Sequence, residues 1–327
     1  MTRPYVPVVH GAALDRPDEA DTVIAAEAVW RSLNGLGFQS AIVDVGCDLA
    51  ALGALRGARP YAVFNLIEAL GGVAERAIAA VRRLDELDLA YTGAGARAYA
   101  VTNSKTRTKA ILREAGIATP RHWLGGGAVP ADTIVIVKAI DEHGSLGMDQ
   151  GSVVAGREAA AEITAREARF GGRFFAEAFV YGREFNVSLL EIDGTPQVLP
   201  IAEIDFAGLP AGHVPIVDFA AKWDADAPAF HATPRRFGLE AREPSLAAEI
   251  TRLALASYGV LGLSGYARVD FRVGANGPPL VLEANANPCL APDAGFAAAA
   301  AEAGLGYEDA ISAIVATAVR RRGPSGA

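Results

Sequence analysis

The feature that most constrains the fold is a pair of short segments near the C-terminus, residues 267–273 and 280–285, in which apolar and polar residues are mixed, joined by a turn that contains Asn276-Gly277. An Asn-Gly dipeptide between two such segments predicts a β-hairpin. If the strands pair symmetrically about this dipeptide, Asp270 lies opposite Glu283 and Arg268 lies opposite Asn285, on one face. The other face then consists of Val269, Phe271, Leu282 and Ala284.

Two carboxylates that face each other across a hairpin repel unless a cation lies between them. Asp270, Glu283 and the amide of Asn285 offer the hard oxygen ligands that Mg²⁺ prefers, with water and phosphate oxygens completing its shell. The alternative is a solvated strand face on which Arg268 and Arg272 neutralise the two acids. The hairpin pattern by itself leaves a magnesium site and a solvated face both open.

Three cations have positions that suit phosphate chemistry. Arg268 can hold a transferring phosphoryl group or the charge of a tetrahedral intermediate. Lys138 ends a predicted buried strand, 133–137, just before the Gly-bearing loop 141–148, and Lys105 lies in the first turn of a predicted helix. Lysines of this kind, with backbone N–H groups of a Gly/Ser loop, can bind nucleotide phosphates. The alternative is that each lysine is an ordinary surface residue.

The length of 327 residues predicts more than one domain. Residues 1–100 alternate strand and helix patterns and predict a βαβ domain, followed by a central domain at 101–182 and a C-terminal domain at 183–327. The string Gly93 to Ala98 matches a dinucleotide fingerprint, but it lies far from the first strand, so a plain turn is the favoured interpretation. Strands are predicted at 89–92 and 197–204, and a polar loop at 218–223.

The amino-acid composition limits the kinds of binding partner that the protein can have. Two cysteines cannot form a disulfide framework or a paired zinc site. A net charge of −8 with dispersed Lys and Arg argues against a nucleic-acid surface. No apolar stretch is long enough to span a bilayer, and the first 21 residues lack the regions of a signal peptide. We therefore expect a cytoplasmic protein that acts on small molecules, without nucleic-acid or membrane partners.

In order and spacing, the chain resembles the ATP-grasp superfamily and, within it, the D-alanine–D-alanine ligases. The resemblance covers nearly the whole chain, and the segments that carry it are 63–66, 91–93, Lys105 with 108–109, 134–138, 144–148, 182–185, Lys222, 268–271 and 283–288. It implies an α/β, three-domain ATP-grasp fold: an N-terminal βαβ domain, a central α+β domain, and a C-terminal α+β domain, with nucleotide held between the last two.

The same resemblance implies an ATP site. Adenine is expected against the strand Glu177, Ala178, Phe179 and Val180, with Glu184 on the ribose. Lys105 and Lys138 are expected on the phosphates, under the loop that carries Gly144 and Ser145. Asp270, Glu283 and Asn285 are expected to bind two Mg²⁺ ions, with Mn²⁺ as an alternative. Arg268, Lys222 and Ser145 are expected to be catalytic.

The reaction implied is the attack of a carboxylate on ATP to give an acyl phosphate and ADP, followed by displacement of phosphate by an amine. The expected substrate-binding residues are Glu19, Trp223, Asn287, Cys289 and Asp293. Glu19, with Asp18 as the alternative, is expected to receive the amino group of the first substrate. These acids can equally be N-terminal acids of a helix. A homodimer through the N-terminal domain is also implied.

Two regions depart from the family pattern. Gly144 replaces the first serine of the phosphate loop and Trp223 replaces the lid tyrosine, so the family's serine–tyrosine latch is missing. Cys289 replaces a glycine next to the reacting carbonyl, and residues 290–295 lack the family's Thr and Ser hydroxyls. Asp293 is expected to disfavour a carboxylate and to favour a cationic or neutral amine. Cys289 itself is interpreted as a packing residue rather than a nucleophile.

Four functions therefore compete. The favoured one is an ADP-forming ligase that joins an amino acid or related carboxylate to an amine other than D-alanine. The alternatives are a true D-alanine–D-alanine ligase, a nucleotide-binding protein without turnover, and a phosphotransferase on the same fold.

Overall fold

The computed structural model describes residues 3–11, 17–142, 144–224, 226–275 and 277–322, without the side chains of 17–20. Asn276 of the predicted hairpin turn and His143 of the phosphate loop thus lie outside the described residues. Within these ranges, no helix combines the length and the apolar character that crossing a bilayer requires.

The N-terminal part is built on parallel strands. Its elements are β1 (Val8–Gly11), α1 (Pro17–Gly35), β2 (Ile42–Val45), α2 (Ala50–Ala58), β3 (Phe64–Asn65), α3 (Glu75–Glu86) and α4 (Ala96–Thr102). The strands pair in the order β2-β1-β3, and the parallel pairing agrees with the predicted βαβ pattern. The strand predicted at 89–92 is reduced to one bridge between Tyr91 and Val63. Gly93 follows at a φ of 81°, as the favoured turn requires.

The central part is an antiparallel sheet with one covering helix. Its elements are α5 (Lys105–Glu114), β4 (His122–Leu124), β5 (Ile134–Ala139), β6 (Val153–Ala155), α6 (Ala159–Phe170) and β7 (Phe174–Ala178). The strand order is β4-β7-β5-β6. This sheet has its own apolar core, in which Trp123, Ile163 and Phe174 pack together. Lys138 is the penultimate residue of β5, within one residue of the strand end at which it was predicted, so the sheet fixes its backbone.

The C-terminal part contains the largest sheet. Its elements are β8 (Gly182–Ile192), β9 (Thr195–Val198), β10 (Ala202–Ile204), α7 (Phe219–Trp223), α8 (Pro228–His231), β11 (Arg235–Arg236), α9 (Leu239–Arg242), α10 (Pro244–Leu261), β12 (Tyr266–Gly274), β13 (Pro279–Asn285), α11 (Gly295–Glu302) and α12 (Tyr307–Arg322). The strand order is β11-β10-β8-β12-β13, with β9 also on β8. Each of the three sheets falls within one of the predicted ranges 1–100, 101–182 and 183–327, except that β8 begins at Gly182. The boundaries themselves remain predictions.

Two predictions for this part were wrong in detail. The strand predicted at 197–204 is divided into β9 and β10, and Pro200 lies in the interruption because proline cannot donate to a ladder. The loop predicted at 218–223 contains helix α7. Asp218 begins it, since its Oδ1 accepts a hydrogen bond from the Ala221 N–H at 2.9 Å.

The predicted hairpin forms between β12 and β13. Asp270 pairs with Glu283 and Arg268 pairs with Asn285, as the symmetric register predicts. The register then shifts by one residue, so that Phe271 pairs with Val281 and Leu282 is left over as a β-bulge. Val281 is fully buried in the core, whereas Leu282 lines a cavity. The prediction that Leu282 shares a face with Val269 and Phe271, which are fully buried, was therefore wrong.

Candidate functional site

A cavity of about 670 Å³ lies between the central sheet and the large C-terminal sheet, a size typical of small-molecule sites. It brings together most of the predicted site residues. Those that line it are Lys105, Lys138, Gly144, Ser145, Glu177, Ala178, Phe179, Val180, Glu184, Lys222, Trp223, Arg268, Asp270, Glu283, Asn285, Cys289 and Asp293. Asn287 does not line the cavity, and the side chains of Glu19 and Asp18 lie outside the described residues.

The two facing acids each have a cationic partner from this chain. Arg268 donates through Nε to Oδ1 of Asp270 at 2.8 Å and through Nη2 to Oδ2 at 2.9 Å. The Nδ2 of Asn186 also donates to Asp270 Oδ1, at 3.0 Å. Glu283 lies 3.3 Å from Lys105 Nζ. Arg268 thus neutralises Asp270, as the alternative proposed, but the face is not solvated, because the side chains of both acids are largely buried. Glu283 has a lysine partner from α5, so that an expected phosphate ligand contacts an expected metal ligand.

Arg272 serves another part of the cavity. Its Nη2 lies 3.0 Å from Glu184 Oε2, and its Nη1 donates to the Gly182 carbonyl at 2.9 Å. Its guanidinium lies over the rings of Phe179 and Phe206. The alternative interpretation, in which Arg272 neutralises one of the facing acids, was therefore wrong for Arg272, because this residue pairs with Glu184, the residue expected on the ribose.

Lys222 brings a further positive charge to the cavity from helix α7. Burial lowers the pKa of Lys222, and the positive charge of Arg268 lowers it further, whereas Glu283 and Asp270 act in the opposite direction. Burial also acts to lower the pKa of Arg268, but the Asp270 carboxylate outweighs it and raises that pKa. The positive charge of Lys222, which burial and Arg268 destabilise, would gain favourable interactions when negative charge enters the cavity.

A buried cluster of three charges supports the expected adenine strand. Glu177 is 1% exposed, and its carboxylate lies 2.8 Å from Lys138 Nζ and 2.5 Å from Lys109 Nζ. Lys109 is fully buried and also donates to Thr119 Oγ1 at 2.8 Å and to the Leu282 carbonyl at 2.9 Å. Lys109 therefore ties α5, β7 and the bulge of β13 together. Sequence reasoning gave Lys109 no role, although its position four residues after Lys105 on the same helix face was a usable signal.

Burial acts to raise the pKa of Glu177, but Lys109 and Lys138 outweigh it, so that the pKa is lowered. Glu177 is therefore held ionised between the two lysines. The arrangement fixes the side chain of Lys138 at the cavity wall, where the phosphate prediction needs it.

The loop at residues 141–148, which is expected to cover the phosphates, is held in place by a buried arginine. Arg166 is buried, donates to the Gly147 carbonyl, and lies 2.7 Å from an oxygen of Asp149. Gly147 has a φ of 65°, and an added Cβ would approach the Phe170 ring to 2.9 Å, so the position requires glycine. Ser145 also has a positive φ, of 60°, which is uncommon for a residue with a side chain and concentrates at functional loops.

The loop is joined to the lid segment, residues 205–234, by a contact that replaces the missing latch. The Nε1–H of Trp223 donates to the Gly144 carbonyl at 2.9 Å. The Ser145 hydroxyl donates to the Val217 carbonyl at 3.2 Å. An indole can donate but not accept, and a backbone carbonyl is the partner that remains after serine is replaced by glycine. The two substitutions are therefore compatible with each other as a tryptophan–carbonyl latch.

The acceptor segment, residues 289–295, runs from the end of the hairpin to the start of α11. Cys289 and Asp293 line the cavity, and Arg235 of β11 lies beside them. Burial raises the pKa of the Cys289 thiol to about 12, with Glu68 as a smaller cause, which makes it a poor nucleophile. Asn287 is buried: its Oδ1 accepts from the Tyr266 hydroxyl and its Nδ2 donates to the Ile67 carbonyl at 3.4 Å. Its amide is engaged in packing, away from the cavity.

Sequence reasoning missed three charged residues on the cavity wall. Asp21 of α1 and Glu68, which follows β3, contribute acids from the N-terminal part, and Arg235 contributes a cation. None belongs to a local motif, because the N-terminal residues and β11 meet the cavity only through tertiary packing. No group of three or more His, Cys, Asp or Glu side chains suited to a metal gathers within the described residues, so the expected metal set rests on two acids and an amide.

Comparison with known proteins agrees with this geometry. The family described as D-ala D-ala ligase C-terminus matches residues 131–316. A D-alanine–D-alanine ligase of Moorella thermoacetica is 30% identical over 302 residues, covering 89% of this chain and 92% of that protein. One of Desulforudis audaxviator is 31% identical over 306 residues, covering 91% and 93%.

Among solved structures, the D-alanine–D-alanine ligase of Bacillus anthracis complexed with ATP superposes with a TM-score of 0.75 at 19% identity, over 99% of this chain and 100% of that one. This similarity shows the fold, which is α/β and of the ATP-grasp type. The sequence matches show more than the fold, because they extend over most of both chains at 30% and 31% identity. The chain belongs to the D-alanine–D-alanine ligase family of the ATP-grasp superfamily, a family of ADP-forming carbon–nitrogen ligases.

Proposed function

We propose that the protein is an ATP- and magnesium-dependent carboxylate–amine ligase whose amine substrate is not D-alanine. The observation that carries the proposal is the composition of one cavity wall. The facing acids Asp270 and Glu283 stand beside Arg268, Lys105 and Lys222. Facing acids with cations beside them suit a metal–triphosphate: the acids would hold the metal, and the cations would bind the phosphates.

The residues fit magnesium. Asp270 and Glu283 are directly opposite in the ladder, both are largely buried, and the Asn285 amide lies next to them on β13. Asn285 Oδ1 also accepts from the Asn287 N–H at 2.8 Å, which fixes the amide's orientation. A hard cation with oxygen ligands is the ion that this set selects. When bound, Mg²⁺ supplies charge neutralisation of the phosphate oxygens.

The side chains then divide the reaction between them. A carboxylate oxygen of the first substrate bonds to the γ-phosphorus of ATP and ADP leaves. The amine nitrogen of the second bonds to the acyl carbon, phosphate leaves, and a proton passes to solvent. Lys138 and Lys105 bind phosphates, and Lys222 and Arg268 neutralise the moving phosphoryl group. Ser145 and the tryptophan–carbonyl latch hold the loop over it.

The donor amino group needs an anionic partner from the N-terminal wall. We include Asp21 and Glu68 as candidates beside the predicted Glu19, because both line the cavity. An ammonium group between carboxylates is favoured by their charge.

The acceptor is proposed to differ from D-alanine because the acceptor segment has changed. Cys289 occupies the position of a family glycine, and Asp293 lies in a segment without any serine or threonine. Side chains that replace hydrogen-bond donors alter which acceptor the cavity can bind. A true D-alanine–D-alanine ligase is the second candidate, since the matching relatives carry that name.

The test is coupled ADP detection over pairs of carboxylates and amines, with products identified by mass. The proposal expects magnesium-dependent ADP release and an amide product from a pair other than two D-alanines. Strong self-ligation of D-alanine would refute the substrate claim and favour the second candidate. A stable phosphorylated product would identify a phosphotransferase, and ATP binding without ADP release over the whole panel would identify a protein without turnover. The homodimer and the cytoplasmic location remain predictions.

A further inference from the structure

Arg235 is a cation at the acceptor end of the cavity. It belongs to β11, the edge strand of the large sheet, where it pairs with Ile204 of β10. Its side chain lines the cavity together with Cys289, Asp293 and Gly295. An added Cβ on Gly295 would lie 3.2 Å from Arg235 Nε, so the glycine leaves room for the guanidinium against the acceptor segment.

Arg235 has no carboxylate partner within the described residues. Its one side-chain hydrogen bond in that part of the chain is from Nη1 to the Asp293 carbonyl at 3.2 Å, and no acid there lies within 4.0 Å of its guanidinium. The neighbouring arginines differ. Arg268 is paired twice with Asp270, and Arg236, the next residue, lies 3.5 Å from Asp205. A guanidinium that faces a cavity with most of its donors unused is suited to a planar anionic group.

The electrostatic surroundings agree with this. Burial lowers the pKa of Arg235, and the positive charge of Arg268 lowers it further, while Asp293 raises it. The positive charge of Arg235 is therefore incompletely balanced, and an incoming anion would stabilise it. Asp293 by itself was expected to disfavour a carboxylate, but Arg235 lines the same cavity and brings a positive charge to this region, so the presence of Asp293 no longer argues against an acceptor carboxylate.

We propose that Arg235 binds a carboxylate of the acceptor amine and thereby determines which amines are used. This inference rests on the proposed ligase function and deepens it. The phosphate end of the cavity already has Lys105, Lys138, Lys222 and Arg268, whereas the acceptor segment offers no serine or threonine hydroxyl. Arg235 supplies the donor that this segment lacks, and the acceptor is an amine that carries a carboxylate, such as an amino acid.

The experiment compares amino acids with their own carboxamides as acceptors, in the ADP-release assay on the full-length protein. The variant is Arg235→Gln, and the matched control is Arg236→Gln, whose side chain does not line the cavity. A lost charge-assisted contact predicts a fall of about 10- to 100-fold in kcat/KM for the free acids in Arg235→Gln. The wild type and Arg235→Gln should use the carboxamides equally well, and the KM for ATP should be the same in both.

The outcomes separate this proposal from the ligase proposal. Equal use of acids and carboxamides by the wild type, with robust ADP release, would overturn the role of Arg235 and leave the ligase standing. A raised KM for ATP in Arg235→Gln would overturn it in favour of a phosphate ligand. Absence of ADP release with every pair would overturn the ligase proposal and the acceptor role together. Thermal unfolding of both variants tests whether a loss reflects folding, and a Tm of Arg235→Gln equal to that of Arg236→Gln supports the specific role.

Discussion

Replacing the fully buried Lys109 with methionine should strongly destabilise the protein. Methionine has nearly the same length and no charge, so the change removes the ammonium while filling most of the space. The ammonium has three partners: Glu177 at 2.5 Å, Thr119 at 2.8 Å and the Leu282 carbonyl at 2.9 Å. All three lose a donor at once, at a site that is fully closed to water.

The expected loss of stability depends on the charges that stay buried after the substitution. Removing one member of a buried ion pair costs about 3–5 kcal/mol, because the other charge stays buried. Glu177 keeps Lys138 at 2.8 Å, so the lower end of that range applies, about 3 kcal/mol. Thr119→Val is the matched comparison, since it removes the neutral hydroxyl acceptor and leaves the charge in place; it should cost about 1 kcal/mol.

Urea unfolding measures both costs, and acid unfolding adds a test of sign. In the wild type the lysines hold the pKa of Glu177 below its ordinary value, so its stabilising charge is present above about pH 4.3 and is lost as the pH falls through the lowered pKa. Without Lys109, burial opposes one lysine only, and the loss should begin at a higher pH. If Lys109→Met cost no more than Thr119→Val, or if its acid midpoint did not rise, the buried charge cluster would not contribute as described.

Three further changes test the site. Trp223→Phe keeps an aromatic ring but loses the hydrogen bond to the Gly144 carbonyl. We expect about a fivefold rise in the KM for ATP, which corresponds to about 1 kcal/mol. Trp30→Phe, in helix α1, is the control and should leave this KM unchanged. Glu283→Gln should raise the magnesium concentration for half-maximal ADP release at least about tenfold, measured by titration; an unchanged midpoint would remove Glu283 from the metal set. Because the pKa of Lys222 is lowered, the rate should decline on the alkaline side below the usual lysine value of about 10.4, in a pH–rate profile.

The sequence was a good guide where residues close in the chain form the site. The register that places Asp270 opposite Glu283 follows from two short segments and one turn, and the structure has it. Arg235, Asp21 and Glu68 could not be found in this way. Each reaches the cavity because a distant element packs there, and nothing in the neighbouring sequence distinguishes them from surface charges.

The β-bulge at Leu282 shows where the local pattern fails and why. Residues 280–282 read Leu-Val-Leu, so alternation cannot say which side chain faces the core. The extra residue lets Val281 enter the core while Leu282 turns to the cavity, and Glu283 still meets Asp270. The carbonyl of Leu282 accepts from the buried Lys109. The bulge therefore places an apolar side chain in the cavity wall and a carbonyl at the charge cluster, next to an expected metal ligand, which a regular ladder would not do.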